Sequence, residues 1–290
     1  MAARQSRVRR VSAARLAVLG SPIRHSKSPV LHAAAYGVLG LDWEYGRAEV
    51  GSGELAAFLD GLDASWRGLS LTMPLKAEVI PLLDEVGPVA RATGAVNTLR
   101  FSDEGRRIGF NTDVGGIVAA LRESGLERVR EGVLIGGGST AGSAVAALAE
   151  LGAEAVRVHV RSPERAAEVL RIGRELGLRM SAHPIDGIED APAADVVVGA
   201  LPGGTDLGLR PSEALLASTL FDVAYDPWPT TLAAQWSDAG SPVVDGILML
   251  LHQAVLQVRI FVGGEPNTPL PDEGRVLEAM RIALREVAGR

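Results

Sequence analysis

"VLIGGGSTAGSA", residues 133–144, holds three apolar β-formers, then Gly136, Gly137 and Gly138, then a run of small helix-formers. A strand that breaks on glycine and opens straight into a helix lets the backbone approach an anion closely. Gly136-x-Gly138-x-x-Ala141 fits the G-x-G-x-x-G/A pattern of dinucleotide-binding folds. The glycines permit the tight turn. The first helical residues, Ser139, Thr140 and Ala141, then offer unpaired N–H groups and the positive end of the helix dipole to a pyrophosphate. A glycine-rich turn that binds nothing is the alternative. The strand before and the helix after favour the cofactor.

The next strand end tests that reading. "AVRVHV", 155–160, runs into "RSPERA", 161–166. A cofactor with a free ribose 2′-hydroxyl calls for Asp or Glu about 20 residues after the glycines. Arg161, Ser162 and Arg165 stand there instead, and Glu164 falls in the following helical turn. Two guanidiniums suit a 2′-phosphate, so NADP is expected over NAD. Two solvated arginines at a helix start are the other reading.

The alternation extends in both directions. Downstream, 163–177 reads as a helix, and "DVVVGAL" (195–201), "TLFDVAY" (219–225) and "PVVDG" (242–246) read as strands. Upstream, strands are expected at 16–20, 43–50 and 66–74, the last stopped by Pro74. Helices are expected at 28–40 and 51–62. Residues 75–86 read as helical with a break at Pro81. Two short strands meet about a turn at Asp103 to Gly105, and helices follow at 114–124 and 275–288. This is an α/β protein of two α/β domains, with parallel strands covered by helices. A Rossmann-type NADP-binding domain is expected over 113–246. A substrate-binding domain is expected over 1–112, with 247–290 packing back onto it.

Composition narrows the function classes. Hydrophobic residues make up 47% and aromatics only 4%, so the core must be built from Ala, Val, Leu and Ile. The net charge of −6 argues against nucleic acid or an anionic membrane as partner. With no cysteine, disulfides and thiolate metal sites are excluded, and a reducing cytoplasm is expected. The basic first fifteen residues lack the apolar stretch of about 7–15 that a signal peptide needs, and a frayed tail is expected there. The apolar run 246–258 is interrupted by His252 and Gln253 and falls short of the roughly 20 residues of a membrane span. The five histidines form no pair with metal-site spacing, so no metal is expected.

Four polar clusters remain in the first 113 residues: "HSKSP" (25–29), "SLTMPLK" (70–76), "GAVNT" (94–98) and "GFNTD" (109–113). Each sits at an expected strand end or loop. A Lys–Asp pair can position a substrate hydroxyl and take up its proton as hydride leaves the same carbon. Lys76 and Asp113 could form that pair. Taken singly, Lys76 could be a solvated charge, Asp113 or Ser28 a helix cap, Asn97 a turn residue and Tyr225 a core edge. Gln253 in an otherwise apolar helix asks for a partner.

The order "GSPIRHSKSPVLH", "SLTMPLK", "ATGAVNTL", "GFNTDVGG", "LIGGGSTAG", "VRSPERA", "DVAYDPWPT", "DGILMLLHQA" resembles the shikimate dehydrogenase family over nearly the whole chain. The resemblance implies NADPH-dependent, reversible reduction of 3-dehydroshikimate to shikimate. It implies Lys76 and Asp113 as the catalytic pair and Ser26 and Ser28 on the substrate carboxylate. Thr72, Asn97 and Gln253 would contact ring hydroxyls or carboxylate, and Tyr225 would lie near the carboxylate and the nicotinamide. A quinate or quinate/shikimate dehydrogenase, with NADP or with NAD, and a shikimate- or nucleotide-binding regulator without turnover, stay open. So does a homodimer. Three positions depart from the family's common pattern: Ser70 and Ala33 where Asn is frequent, and Val160 in place of the Asn before the arginine.

Overall fold

The computed structural model describes residues 14–288. The basic N-terminal tail lies outside the described residues. Strands β1 (Ala14–Gly20), β2 (Trp43–Glu49) and β3 (Trp66–Leu71) alternate with helices α1 (Ser28–Leu39) and α2 (Leu55–Asp60). The chain continues through α3 (Leu75–Glu78), β4 (Glu85–Val86), α4 (Pro88–Thr93), β5 (Thr98–Phe101) and β6 (Arg107–Phe110). These strands make one six-stranded sheet in the order β2-β1-β3-β5-β6-β4. β1 is flanked on both edges and buried along nearly its whole length, as its apolar sequence requires.

This first sheet is mixed, not wholly parallel as expected. β5 runs antiparallel to β3 and to β6, because β5 and β6 form the short hairpin legible in the sequence. The expected helix over 75–86 is also corrected. α3 holds only four residues, a single 3₁₀ turn covers Ile80–Leu82, and β4 follows. Pro81 has no N–H for an α-helical bond and its ring crowds the preceding turn, which ends the helix.

Helix α5 (Asp113–Glu123) leads to the second sheet. Its strands are β7 (Glu131–Ile135), β8 (Ala155–Val160), β9 (Arg179–Pro184), β10 (Val196–Gly199), β11 (Thr219–Asp222) and β12 (Val243–Asp245). Helices α6 (Ser139–Glu150), α7 (Ala167–Glu175), α8 (Glu213–Leu216) and α9 (Thr231–Asp238) connect them. All pairings are parallel, in the order β12-β11-β10-β7-β8-β9. That is the doubly wound dinucleotide order, whose switch point lies between β7 and β10. β10, Val-Val-Val-Gly, is buried at every residue, as a central strand with both faces covered must be.

Helices α10 (Gly246–Gly263) and α11 (Glu273–Ala288) close the chain. By length and composition α10 could cross a membrane, a longer apolar helix than the run 246–258 suggested, and 56% of it is buried inside this structure. Its Leu251, Ala254 and Val258 join the core of the first sheet with Leu31, Tyr36 and Phe110. Met249, two residues before Leu251, joins the core of the second with Val114 and Ile117 of α5. α5 and α10 pack together where the two cores meet.

Candidate active site

The C-terminal ends of β1, β3, β7, β8, β10 and β11 open on one cleft of about 990 Å³ between the sheets. Lys76, in the single turn of α3, points Nζ to 2.6 Å from Asp113 Oδ2. Both side chains are nearly out of solvent, 11% and 6% exposed. Asp113 opens α5, yet its carboxylate does no capping. Asn111 Oδ1 accepts the Asp113 backbone N–H at 2.9 Å instead. The second carboxylate oxygen is therefore free to accept from Asn97 Nδ2 at 2.7 Å. Asn97 is itself held, its Oδ1 accepting the Thr112 N–H at 2.9 Å. A charge pair this deep persists only when both partners' remaining polar atoms are met, and these contacts meet the carboxylate's. The ammonium has three donors, so one bond to Asp113 leaves two for a ligand in the cleft.

Ser26 and Ser28 line the same wall, 3.3 Å apart between hydroxyls. Lys27 precedes α1 as its cap with no side-chain capping bond, so the Ser28 hydroxyl is not spent on the helix. Thr72, Asn97 and Gln253 line the cleft beside them, and Tyr225 enters from the loop after β11. Burial raises the Tyr225 phenol above its ordinary range, with the neighbouring Asp226 carboxylate adding to the effect. At the mouth, His25 Nδ1 lies 3.9 Å from Asp226 Oδ2, one residue from each sheet's side of the cleft.

The glycine turn forms the opposite wall. Gly136 has φ +120°, and a Cβ there would lie 2.6 Å from the Ala200 carbonyl oxygen. A Cβ on Gly137 would lie 2.1 Å from the Arg165 carbonyl oxygen. At Gly138 a Cβ would meet nothing within 4 Å. The first two glycines thus let β10 and the arginine loop close in, while the third leaves open space before α6. Gly138 caps α6 with no side-chain bond, so the helix N–H groups of Ser139 and Thr140 face that space. Arg161 and Arg165 are exposed, line the cleft, and have no carboxylate partner among the described residues. An open cradle before a helix N-terminus with two unpaired guanidiniums beside it fits the phosphates of NADP.

Two of the expected cofactor residues, Ala141 and Ser162, do not line the cleft, and burial of the Ala141 side chain leaves its backbone N–H as what it can offer. The Ala141 side chain is fully buried in the core, and the Ser162 hydroxyl bonds Glu164. Conversely, sequence reading misses Asn111, Thr112, Tyr45 and Gln257. Gln257 had a signal. It stands one turn after Gln253 in the same apolar helix, and its amide is buried and bonded to Asn97 O at 3.2 Å.

A family model described as the shikimate dehydrogenase substrate binding domain matches residues 18–99. A shikimate dehydrogenase (NADP(+)) of Rubrobacter xylanophilus is 36% identical over 262 residues, 86% of this chain and 91% of that protein. The chain belongs to the shikimate dehydrogenase family. Among solved shikimate dehydrogenases, that of Mycobacterium tuberculosis superposes with a TM-score of 0.81 at 37% identity, covering 94% of this chain and 99% of that one. The shikimate 5-dehydrogenase of Thermus thermophilus, in complex with NADP(H) and shikimate, gives 0.75 at 34% identity, covering 93% and 99%.

The three departures from the common shikimate dehydrogenase pattern fall differently in space. Ala33 sits on the exposed face of α1 and touches nothing in the cleft. Val160 lines the cofactor half, and its side chain offers no polar atom. Ser70 lines the substrate half, and its hydroxyl is engaged from behind by Tyr45 and Gln257.

Proposed function

We propose that the chain catalyses the reversible, NADPH-dependent reduction of 3-dehydroshikimate to shikimate, a step of aromatic amino-acid (chorismate) biosynthesis. The observation that carries this is the buried Lys76–Asp113 pair facing the same cleft as the glycine turn. A proton-handling pair and a dinucleotide cradle in one space suit removal or delivery of a hydride at a carbinol carbon.

The roles follow from the geometry. Ser26 and Ser28 donate to the substrate carboxylate from the β1–α1 loop. Lys76 gives a proton to the ring oxygen during reduction and takes it back in the reverse direction. Asp113, fixed by Asn97 and by the Asn111 turn, holds the lysine side chain in place and accepts from a ring hydroxyl. Thr72 and Gln253 contact the ring, and Tyr225 covers the carboxylate from the second sheet. NADPH, held by Gly136, Gly137, Gly138, Ser139, Thr140, Arg161 and Arg165, supplies the hydride when bound. With walls contributed by both sheets, approach of one to the other would exclude water.

We assign residues up to 112 and from 247 onward to the substrate-binding domain, and 113–246 to the cofactor domain. The joint core of α10, α11, α1 and the first sheet supports this. Absence of cysteine supports a cytoplasmic setting.

The test is absorbance at the reduced-nicotinamide band, crossing shikimate and quinate with NADP and NAD. Reduction of NADP with shikimate alone is expected. Activity with quinate or NAD would move the chain to that branch of the family, and silence in all four mixtures would overturn catalysis.

A further inference from the structure

Behind the substrate wall lies a chain of hydrogen bonds whose direction can be worked out. Gln257 Nε2 lies 3.2 Å from the Asn97 carbonyl oxygen and 3.1 Å from Thr98 Oγ1. A carbonyl cannot donate, so the amide can face only this way, and Gln257 Oε1 points to the other side. There it lies 2.9 Å from Ser70 Oγ and 3.2 Å from His32 Nε2. Both must donate to it. His32 therefore carries its proton on Nε2, and its Nδ1 accepts from the Tyr36 hydroxyl at 3.1 Å. Full burial drives the His32 pKa down to about 3, in keeping with a neutral ring.

The single hydrogen of Ser70 is thus committed to Gln257. Tyr45 OH, 2.5 Å from Ser70 Oγ, can only be the donor in that contact. The Tyr45 oxygen is then left to accept, and the Ser28 hydroxyl bonds to it. The Tyr45 ring is fixed by stacking on His32, with centroids 3.9 Å apart and planes 9° from parallel. Ser70 has one lone pair left, and it lines the cleft.

We propose that Tyr45 is a positioning residue: Gln257 takes the Ser70 hydrogen, and Tyr45, donating to one Ser70 lone pair, holds the hydroxyl so that its other lone pair faces the ring, which makes this part of the substrate wall a hydrogen-bond acceptor that selects a neutral ring hydroxyl. A carboxylate, a stronger acceptor than a phenol or a serine oxygen, can draw the Ser28 hydrogen from Tyr45 and the Ser26 hydrogen from Ser28, whereas the Ser70 hydrogen stays on the buried Gln257 amide. The two ends of the acidic ring are told apart by polarity: donors at one end, an acceptor at the other. Asn at position 70, frequent in relatives, would present both a donor and an acceptor, so the Tyr45 device belongs to the serine form of the site.

This rests on the shikimate reading, and the experiment separates the two. Tyr45→Phe keeps the ring and its stacking and removes only the hydroxyl. Kinetics with shikimate would be compared with competitive inhibition by cyclohex-1-ene-1-carboxylate, which has the carboxylate and ring but no hydroxyl. In Tyr45→Phe, KM for shikimate is expected to rise about 3- to 10-fold, the size of one lost neutral hydrogen bond. The inhibition constant of the hydroxyl-free acid should not rise by more than about twofold, since loss of the Tyr45 oxygen only releases the Ser28 hydrogen toward the carboxylate, and KM for NADP should stay within about twofold. Ser70→Ala should give the same rise, and the double variant should add nothing further. Equal weakening of shikimate and the hydroxyl-free acid would overturn the proposal, because Tyr45 would then merely shape the carboxylate pocket. Unchanged KM in an active Tyr45→Phe enzyme would overturn it as well, while wild-type inactivity toward shikimate would remove the functional reading together with it.

Discussion

Lys76 Nζ and Asp113 Oδ2 are 2.6 Å apart, bridging a four-residue turn of the first sheet's side and the first residue of the helix that leads to the second. The pair joins the two halves of the molecule at the point where chemistry is expected. Lys76→Ala should lower turnover by about 10²- to 10⁴-fold, the usual contribution of a positioned proton donor. NADP affinity should stay within about twofold, because the cofactor contacts lie on the other wall. Stopped-flow reduction and a cofactor titration on the same preparation check both numbers, and equal turnover would remove Lys76 from catalysis.

The three glycines predict a contrast between neighbouring substitutions. Gly137→Ala sets a methyl group 2.1 Å from backbone at Arg165, so the arginine loop must move. Lower thermal stability and at least a tenfold loss of NADP affinity, about 1.4 kcal/mol, are expected together. Gly138→Ala meets nothing within 4 Å and should leave the melting temperature unchanged. It still fills the space before α6 and should weaken NADP binding. Differential scanning fluorimetry with and without NADP separates the two, and a destabilised Gly138→Ala would contradict the open cradle.

Much of this was legible before any coordinates. The strand–glycine–helix unit at 133–144 marks the doubly wound sheet, because its local chemistry and its tertiary role demand the same residues. The β9 strand was not legible. "RMSAHP" lies at the sheet edge with mostly exposed side chains, and without burial there is no apolar signature to read. Helix α3 failed for the opposite reason, since apolar Leu75, Val79 and Ile80 mimic helical periodicity while Pro81 stops it. In the site, Gln253 drew notice as a polar residue in an apolar helix, while Lys76, Asp113 and Asn97 were read from polar clusters at strand ends together with the family resemblance. Tyr45 was hidden: a tyrosine in a strand is ordinary, and only the fold brings its hydroxyl to Ser70.

The buried histidine makes stability pH-dependent. His32 has a folded pKa of about 3 against an ordinary value of 6.5, caused by burial. The unfolded chain therefore binds a proton that the folded chain refuses. Stability is complete above about pH 6.5 and falls on acidification from there toward pH 3. Between pH 7 and 5 this one group should cost about 2 kcal/mol. Urea unfolding at the two pH values is the measurement, with His32→Gln as control. The glutamine variant should be less stable at pH 7 yet lose about 2 kcal/mol less on acidification. Parallel loss in both proteins would mean that other groups carry the acid sensitivity.

Cofactor choice is expected to reside in Arg161. It lines the cleft just past the end of β8, and among the described residues its guanidinium has no carboxylate partner. A charge-assisted bond to a 2′-phosphate contributes about 1.5–3 kcal/mol, so Arg161→Ala should weaken NADP binding by about 10- to 100-fold. NAD lacks that phosphate and should change by less than about twofold. Arg165 has the same exposure, and its backbone already seats Gly137, so its substitution tests less cleanly. Fluorescence titration of Arg161→Ala with each nucleotide decides the matter. A selective loss for NADP places the 2′-phosphate at the β8 end. Equal losses for both would show Arg161 acting on the shared diphosphate, and the basis for preferring NADP would then have to lie in Arg165 alone.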